Sequence, residues 1–281
     1  MLDYRSILVH LDESPRCALR VDLAGRLAHQ HGAHLLGLAP SGLVNLPARV
    51  TPSPSGAPNY LELAQARLNE AATALVAEFK RRAEGFGLVS FEGRVDEDGA
   101  VTSLVRHAGV HDIVVLGQTD RTAPTAGLDL DIPEHVLMRA GTPALVVPFV
   151  GDFDDVGGCV VIAWNATRES ARAVHDAMPL LRHAREVHLM CFERTSDLQH
   201  VSRLQLNDAR RWLALHGVDA RLHQEPVSGD VGEALLARAS DLGAKLIVMG
   251  GYGHSRLAEL LLGGVTRRLL TRMTAPVLLS H

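Results

Sequence analysis

An internal duplication constrains the fold of this chain of 281 residues more than any other feature. The stretch ILVHLDESPRCALRVDLAGRLA, which begins at Ile7, has the same layout as VVIAWNATRESARAVHDAMPLL, which begins at Val160. Each stretch is a short apolar run, then a polar turn, then a helical pattern rich in alanine. A repeat of this length is typical of two tandem copies of one folding unit.

The ends of the two copies also match. DIVVLGQTD corresponds to KLIVMGGYG, GTPALVVP corresponds to TAPVLLS, and the spacing from Gly117 to Pro143 equals that from Gly250 to Pro276. A chain of this length favours two domains. We therefore predict one domain over residues 1–148, a Gly- and Asp-rich linker over 149–156, and a second domain over 157–281.

The apolar runs within each copy predict the fold class. Runs such as SILVHL, DIVVLG and KLIVMG are continuous rather than alternating, which is typical of strands buried on both faces of a sheet. Helical patterns separate them, including a long amphipathic one over 60–87. Alternating strands and helices predict an α/β fold with a parallel sheet and right-handed crossovers in each copy. The Pro-, Gly- and Ser-rich stretch 40–60 is predicted to be a loop.

The composition restricts the kinds of binding partner and the cellular compartment that we expect for this chain. The formal net charge is −4, which gives no general attraction to nucleic acid or to anionic membranes. The longest apolar runs are far shorter than a membrane-spanning helix, and the N-terminal residues do not resemble a signal peptide. Three widely spaced cysteines, Cys17, Cys159 and Cys191, indicate free thiols and a cytoplasmic location.

A group of glycines follows the apolar run LIVMG of the second copy. Gly250 ends the predicted strand, Gly253 follows, and the pair Gly263-Gly264 precedes an amphipathic helix. A helix N-terminus presents free N–H groups that suit a phosphate, and glycine leaves room for it. The same glycines are also compatible with simple turns. Neither a Walker loop nor a G-x-G-x-x-G fingerprint is present.

The spacing Gly250-x2-Gly253-x9-Gly263, followed by a small residue, resembles the nucleotide loop of the universal stress proteins. The resemblance covers the whole chain as a tandem pair. It implies two five-stranded, doubly wound, Rossmann-like domains of the adenine nucleotide α-hydrolase-like type. It also implies that an adenine nucleotide, ATP or AMP, is bound, either with Mg²⁺ or without it. Because family dimers pair through the last strand, PALVVP and PVLLS are expected to pair within one chain as a pseudo-dimer, and a homodimer is a further option.

Carried over residue by residue, the resemblance implies a binding set in the second copy. Its members come from the turn after the first strand, the end of the second strand, the end of the fourth strand and the glycine loop. They are Ala163, Trp164, Asn165, Phe192, Met249, Gly250, Gly253, Gly263, Gly264, Val265 and Thr266.

Three positions of this set depart from the family pattern. Gly264 replaces a Ser or Thr and so removes a hydroxyl ligand. Asn165 replaces the usual acid, which weakens any hold on a metal or a ribose. Trp164 is bulky, and it is compatible with stacking on a base or with filling the pocket.

The first copy departs further, so we expect its site to be degenerate. Asp120 stands where the second copy has Gly253, Leu130 and Asp131 replace the glycine pair, and Pro133 replaces Thr266. Carboxylates at these positions repel a phosphate. Asp12 keeps the acid that follows the first strand.

We predict a protein of the stress response that binds an adenine nucleotide in its second copy as a sensor, or as a protective or regulatory protein. An unidentified regulatory protein is the expected partner. We predict no catalytic residues, at most slow ATP hydrolysis, and no metal site formed by protein side chains alone. The alternatives are a weak ATP hydrolase, a binding module for an apolar molecule other than a nucleotide, and a pair of domains without a ligand.

Overall fold

The computed structural model describes residues 3–42, 60–120, 131–194, 201–252 and 264–281. The predicted loop lies mostly outside these residues, as do Gly253, Gly263 and Leu130. The described chain divides into two compact units, which we call the first unit (Tyr4–Thr142) and the second unit (Pro143–His281).

The first unit alternates strands and helices as predicted. Its elements are β1 (Ser6–His10), α1 (Cys17–His31), β2 (His34–Pro40), α2 (Tyr60–Ala83), β3 (Ser90–Asp96), α3 (Ala100–Ala108), β4 (Ile113–Gly117) and α4 (Ile132–Ala140). A short 3-10 turn, Glu84–Phe86, follows α2.

The second unit begins with β5 (Ala144–Val147), the last strand of the first sequence copy. Its other elements are β6 (Cys159–Ala163), α5 (Arg168–Asp176), α6 (Met178–Leu181), β7 (Glu186–Arg194), α7 (Arg203–Leu215), β8 (Ala220–Val227), α8 (Val231–Asp241), β9 (Leu246–Gly250), α9 (Gly264–Arg272) and β10 (Val277–Ser280).

The strand order is that of a doubly wound α/β fold, as predicted. In the first unit the order is β3-β2-β1-β4, and all three pairings are parallel. In the second unit the order is β5-β10-β9-β6-β7-β8. The two last strands of the sequence copies pair, as the resemblance implies, because β5 runs antiparallel to β10 with Leu145 opposite Leu278. The remaining pairings of this unit are parallel.

The central strands carry the apolar core. Ile7, Leu8 and Val9 of β1 and Val160 and Val161 of β6 are fully buried, since helices cover both faces of each sheet. The outermost strands differ from the predicted continuous burial. β3 alternates between half-buried and exposed side chains, because an outer strand has only one neighbouring strand.

Glycines end several helices in the left-handed conformation. Gly32 after α1 has a φ of 60° and donates its backbone N–H to the carbonyls of Ala28 and His29. Only glycine takes this conformation without a steric cost, so Gly32 turns the chain directly into β2. Among the described residues, none of the helices combines the length and the apolar character that are needed to span a lipid bilayer.

Candidate functional site

The carboxyl ends of β6, β7 and β9 lie at one edge of the sheet of the second unit. β6 lies between the other two strands, and Ala163 is in register with Met190 of β7 and Met249 of β9. Parallel strands end at the same edge, where open α/β sheets bind their ligands. The structure therefore brings together one part of the predicted set, namely Ala163, Trp164, Asn165, Phe192, Met249 and Gly250.

Gly250 is required at the end of β9 by close packing. A Cβ at this position would lie 2.5 Å from the backbone of Glu169 and Ser170 in the first turn of α5. No side chain fits at that distance, so glycine allows the N-terminus of α5 to lie directly on the strand end. This contact fixes the position of the turn that leads from β6 into α5.

The turn after β6 is held by local hydrogen bonds. Oδ1 of Asn165 accepts hydrogen bonds from the backbone N–H of Thr167 at 3.3 Å and from its hydroxyl at 2.8 Å. Thr167 in turn caps α5 through a reciprocal pair of hydrogen bonds with Ser170. Ala166, between them, has a φ of 57°, which is unusual for a residue with a side chain. The turn is thus rigid, and the Asn165 oxygen is already engaged.

The one carboxylate in the first turn of α5 is neutralised locally. Glu169 is buried, and Nη2 of Arg168 lies 3.0 Å from its Oε1. Burial raises the pKa of Glu169, but hydrogen bonds from its own backbone and from Arg168 and Thr167 outweigh burial and lower the pKa overall. Glu169 is therefore an ionised group with its own cation.

Of the last three glycines of the glycine loop, the structure describes only Gly264. Gly253 and Gly263 lie outside the described residues, whereas Gly264 is the first residue of α9. A Cβ at Gly264 would meet no described atom within 4 Å, so the described residues leave this N-terminus open. Val265 is half-buried and Thr266 is 3% exposed, so the side chain of Thr266 is not accessible at this end of the helix.

The comparisons with known proteins agree with the geometry of both units. The model of the universal stress protein family matches residues 3–148 and again residues 160–281. The chain belongs to the universal stress protein family.

Individual relatives are distant from this universal stress protein. The universal stress protein Slr1230 of Synechocystis sp. is 26% identical over 222 residues, which cover 78% of this chain and 75% of the relative. A universal stress protein structure from Archaeoglobus fulgidus is 17% identical, with a TM-score of 0.72 over 98% of this chain and 97% of that one. A functionally unknown protein from Pseudomonas aeruginosa is 19% identical, with a TM-score of 0.59 over 99% and 92% of the two chains. These structures share the fold.

Two arginine side chains of α9 are engaged by acids of α8 and its cap. Arg268 lies 3.4 Å from Asp230 and 3.6 Å from Glu233, both in the first turn of α8 or at its cap. Arg272 makes a closer contact of 2.8 Å with Glu233. These arginines join α9 to α8.

The first unit fills the corresponding strand edge with an arginine. Arg20 of α1 is 1% exposed, and its Nη2 lies 2.8 Å from Oδ1 of Asp12, the acid that follows β1. Its Nε donates to the carbonyl of His10 at 2.8 Å. A Cβ at Gly117, at the end of β4, would collide with Nη1 of Arg20. The guanidinium therefore occupies the space between the ends of β1 and β4.

Burial of this cluster shifts its pKa values. Burial raises the pKa of Asp12, but the nearby Arg20, His10 and Ser14 outweigh it and hold the pKa far below its usual range. Burial lowers the pKa of His10 to about 4, and the Asp12 carboxylate only partly offsets this effect. Asp12 is thus an ionised partner of Arg20, and His10 is neutral.

The helix after β4 of this universal stress protein differs from α9. Asp131, the residue before α4, has a φ of 65°, and Pro133 occupies the first turn of the helix. Proline has no N–H, so this N-terminus has one donor fewer than that of α9. An acid and a missing donor both disfavour a phosphate at this position.

The three cysteines are free and protonated. Burial raises the pKa of Cys17 and Cys159, and it raises that of Cys191 to about 11. A thiol of this kind is a poor nucleophile, because the thiolate is the reactive form.

Two features of the site were not predicted from the sequence. Arg20 carried a signal, since it is an arginine within the apolar pattern of a helix that packs on a strand. Trp212, which lines a cavity together with Trp164, carried none, because a tryptophan in an amphipathic helix is usually a core residue.

Proposed function

We propose that the second unit binds an adenine nucleotide, ATP or AMP, across the carboxyl ends of β6, β7 and β9. The observation that carries the proposal is the open N-terminus of α9 at Gly264. A helix of this connection begins at the edge where the parallel strands end. Its first-turn N–H groups and the helix dipole favour the negative charge of a phosphate.

The placement of the base and the ribose follows from the strand ends. We propose that the adenine rests against Phe192, which is half-buried and continues β7 beyond the register partner of Ala163. Asn165 and Gly250 flank the space between β6 and β9, where the ribose would lie. We propose that the exposed Asn165 amide N–H groups, rather than its engaged oxygen, are available to the ligand.

Mg²⁺ fits this edge only when it is bound to the phosphates of the nucleotide. The position after β6 carries the neutral Asn165, and the carboxylate of Glu169 is paired with Arg168. Mg²⁺ prefers carboxylate and phosphate oxygens. If Mg²⁺ enters with ATP, the phosphates would supply most of its ligands.

We further propose that nucleotide binding, rather than hydrolysis, is the function of the site. A ligand that binds one conformation more tightly shifts the population toward it, and this is how a sensor would act on an unidentified protein partner. A weak ATP hydrolase is the second candidate, and the uncharged Asn165 counts against it. Free cysteines are typical of the cytoplasm, which we propose as the location.

Calorimetric titration of the nucleotide-free protein with ATP and with AMP tests this proposal. Gly264→Asp places a carboxylate at the N-terminus of α9, where it repels phosphate but favours the helix dipole, so the fold is retained. We expect about one ATP per chain and a loss of about tenfold or more in affinity for the variant.

The matched control is Gly109→Asp. Gly109 is exposed in the first unit, and a Cβ there also meets no atom within 4 Å, so the net charge changes equally without a phosphate site. Gly109→Asp is expected to bind ATP with the same affinity as the unmodified protein. Undetectable binding at millimolar ATP, or unchanged affinity of Gly264→Asp, would contradict the proposal.

A further inference from the structure

The second unit contains a cavity that the nucleotide proposal does not use. Its volume is about 480 Å³, within the range of small-molecule sites. It lies between α5 and α7 and extends to the turn after β6. The side chains that matter for its chemistry are Trp164, Ala171, Leu189, Asp208, Ala209 and Trp212.

The cavity is distinct from the strand edge. Leu189, which lies in the middle of β7, lines it, so the cavity reaches along the sheet face that carries α5 and α7. A nucleotide phosphate at α9 would lie on the helix layer of the other face, because right-handed crossovers place α8 and α9 there. Trp164 is the one residue that belongs both to the cavity and to the predicted nucleotide set.

The corresponding position of the first unit is filled by a large side chain. The buried positions Val76, Phe79 and Ala83 of α2 repeat the spacing of Leu206, Ala209 and Leu213 in α7. Phe79 is 1% exposed. Its ring would lie 2.7 Å from a Cβ at Gly37 of β2.

Register gives the counterpart of Gly37 in the second unit. Gly37 pairs with Val9, and Leu189 pairs with Ile162, which is the counterpart of Val9 in the duplication. The second unit thus has Leu189 on the strand but the small Ala209 on the helix. Larger side chains on the strands, Leu189 and its neighbour Leu222, thus replace Gly37 and Gly93, and Ala209 on the helix leaves space toward α5 that the cavity occupies.

The contact between α1 and α2 in the first unit also differs from the contact between α5 and α7 in the second unit. In the first unit, Arg82 of α2 and Asp22 of α1 form an ion pair of 3.0 Å. Their counterparts in the second unit are Trp212 and His175, whose ring centroids lie 4.4 Å apart. An ion pair that joins two helices has been replaced by aromatic rings that line a cavity.

The lining indicates which molecules the cavity would accept. Trp164 and Trp212 supply aromatic surface, the Trp212 ring also packs against His175 and His216 with centroids 4.4 and 4.2 Å away, and Ala171, Leu189 and Ala209 add apolar area. Asp208 is the one formally charged lining residue of the described chain, and neither Lys nor Arg lines the cavity there. Tryptophan faces attract organic cations, and a carboxylate at the rim adds to that preference.

We infer that this cavity binds a flat aromatic amine. Its rings would pack against the indole surfaces that line the cavity, and its positive group would face the carboxylate of Asp208. The inference stands apart from the proposed nucleotide site, since it requires neither Gly264 nor a phosphate.

A matched pair of three-ring probes tests the inference on the full chain. The cation is 9-aminoacridine, and the anion of the same ring size is 9-anthracenecarboxylate. Trp164 and Trp212 are the only tryptophans of the sequence, so the intrinsic tryptophan fluorescence reports on the cavity itself. We expect calorimetric binding of the cation with quenching of that fluorescence, and binding of the anion about tenfold weaker or less.

Ala209→Phe should weaken the binding of 9-aminoacridine about tenfold, because it restores the aromatic side chain of the first unit. Ala214→Phe is the control, since Ala214 is exposed on the same helix. Ala171→Leu is a second filling variant for the case in which Ala209→Phe does not fold. Asp208→Asn should reduce the preference for the cation over the anion about threefold.

Two results would overturn the inference. One is a Kd for 9-aminoacridine weaker than about 1 mM. The other is binding that both filling variants leave unchanged, or that Gly264→Asp abolishes, which would assign the probe to the nucleotide edge. ATP titration of Ala209→Phe separates the two sites, because ATP affinity is expected to survive in that variant whether or not 9-aminoacridine binds.

Discussion

At the scale of single residues, the exchange of Ala173 for Arg20 distinguishes the two halves of this universal stress protein. Both residues are buried at the corresponding position of the helix that follows the first strand. In the first unit the guanidinium pairs with Asp12 and lies against Gly117, which removes the space that a ligand would need. A buried cation of this kind is stable because a carboxylate and a backbone carbonyl accept its hydrogen bonds.

The cluster around Arg20 makes the stability of the first unit depend on pH. The pKa of buried His10 is about 4, whereas an unfolded histidine titrates near 6.5. As the pH falls from about 6.5 to about 4, the unfolded state takes up a proton that the folded state does not. The free energy of unfolding therefore decreases in this window, by about 1.4 kcal/mol per pH unit from this one group.

Urea denaturation at a series of pH values measures this slope. His10→Gln should make the slope shallower between pH 6.5 and 4, and it should have little effect on the slope above pH 7. His135→Gln, which changes an exposed histidine of the same unit, is the control. An identical slope for His10→Gln and the unmodified protein would contradict the assignment.

At the scale of secondary structure, the central strands were the easiest elements to predict. β1, β4, β6 and β9 are continuous apolar runs, and no other element explains such a run followed by a polar turn. The outer strand β3 was placed correctly, but its half-exposed side chains were not foreseen, because burial depends on neighbours that are distant in sequence. The break between α5 and α6 was not foreseen either, although Pro179 in the first turn of α6 is compatible with it.

The two glycines at the edge of the second unit have different physical roles. Gly250→Ala would drive a Cβ against the backbone of α5, so we expect the free energy of unfolding to decrease by about 1–3 kcal/mol. Gly264→Ala adds a Cβ in open space at the first position of α9, so we expect a change of less than about 1 kcal/mol, in either direction.

Urea denaturation of the two alanine variants, followed by circular dichroism, compares these roles. The pair is matched, since each variant adds one methyl group to one glycine at the same edge. If Gly264→Ala proved as destabilising as Gly250→Ala, the N-terminus of α9 would not be open.

At the scale of the whole molecule, the sequence predicted a tandem arrangement and the edge at which a ligand would bind. Trp164, Asn165 and Gly250 were implied by the family resemblance, and they lie at one edge of the sheet because parallel strands end together. The cavity between α5 and α7 was not predictable in this way. One of its lining residues is Ala209, which corresponds to Phe79 of the first unit, and a small side chain on a helix face is visible as a gap only once the packing around it is known.

Covalent labelling with 8-azido-ATP, followed by peptide mapping, tests the central claim of one nucleotide site in the second half of the chain. Our account predicts labelled peptides within 157–281, competition by unlabelled ATP, and loss of the label in Gly264→Asp but not in Gly109→Asp. Specific labelling within residues 4–142, where Arg20 fills the corresponding edge, would contradict it.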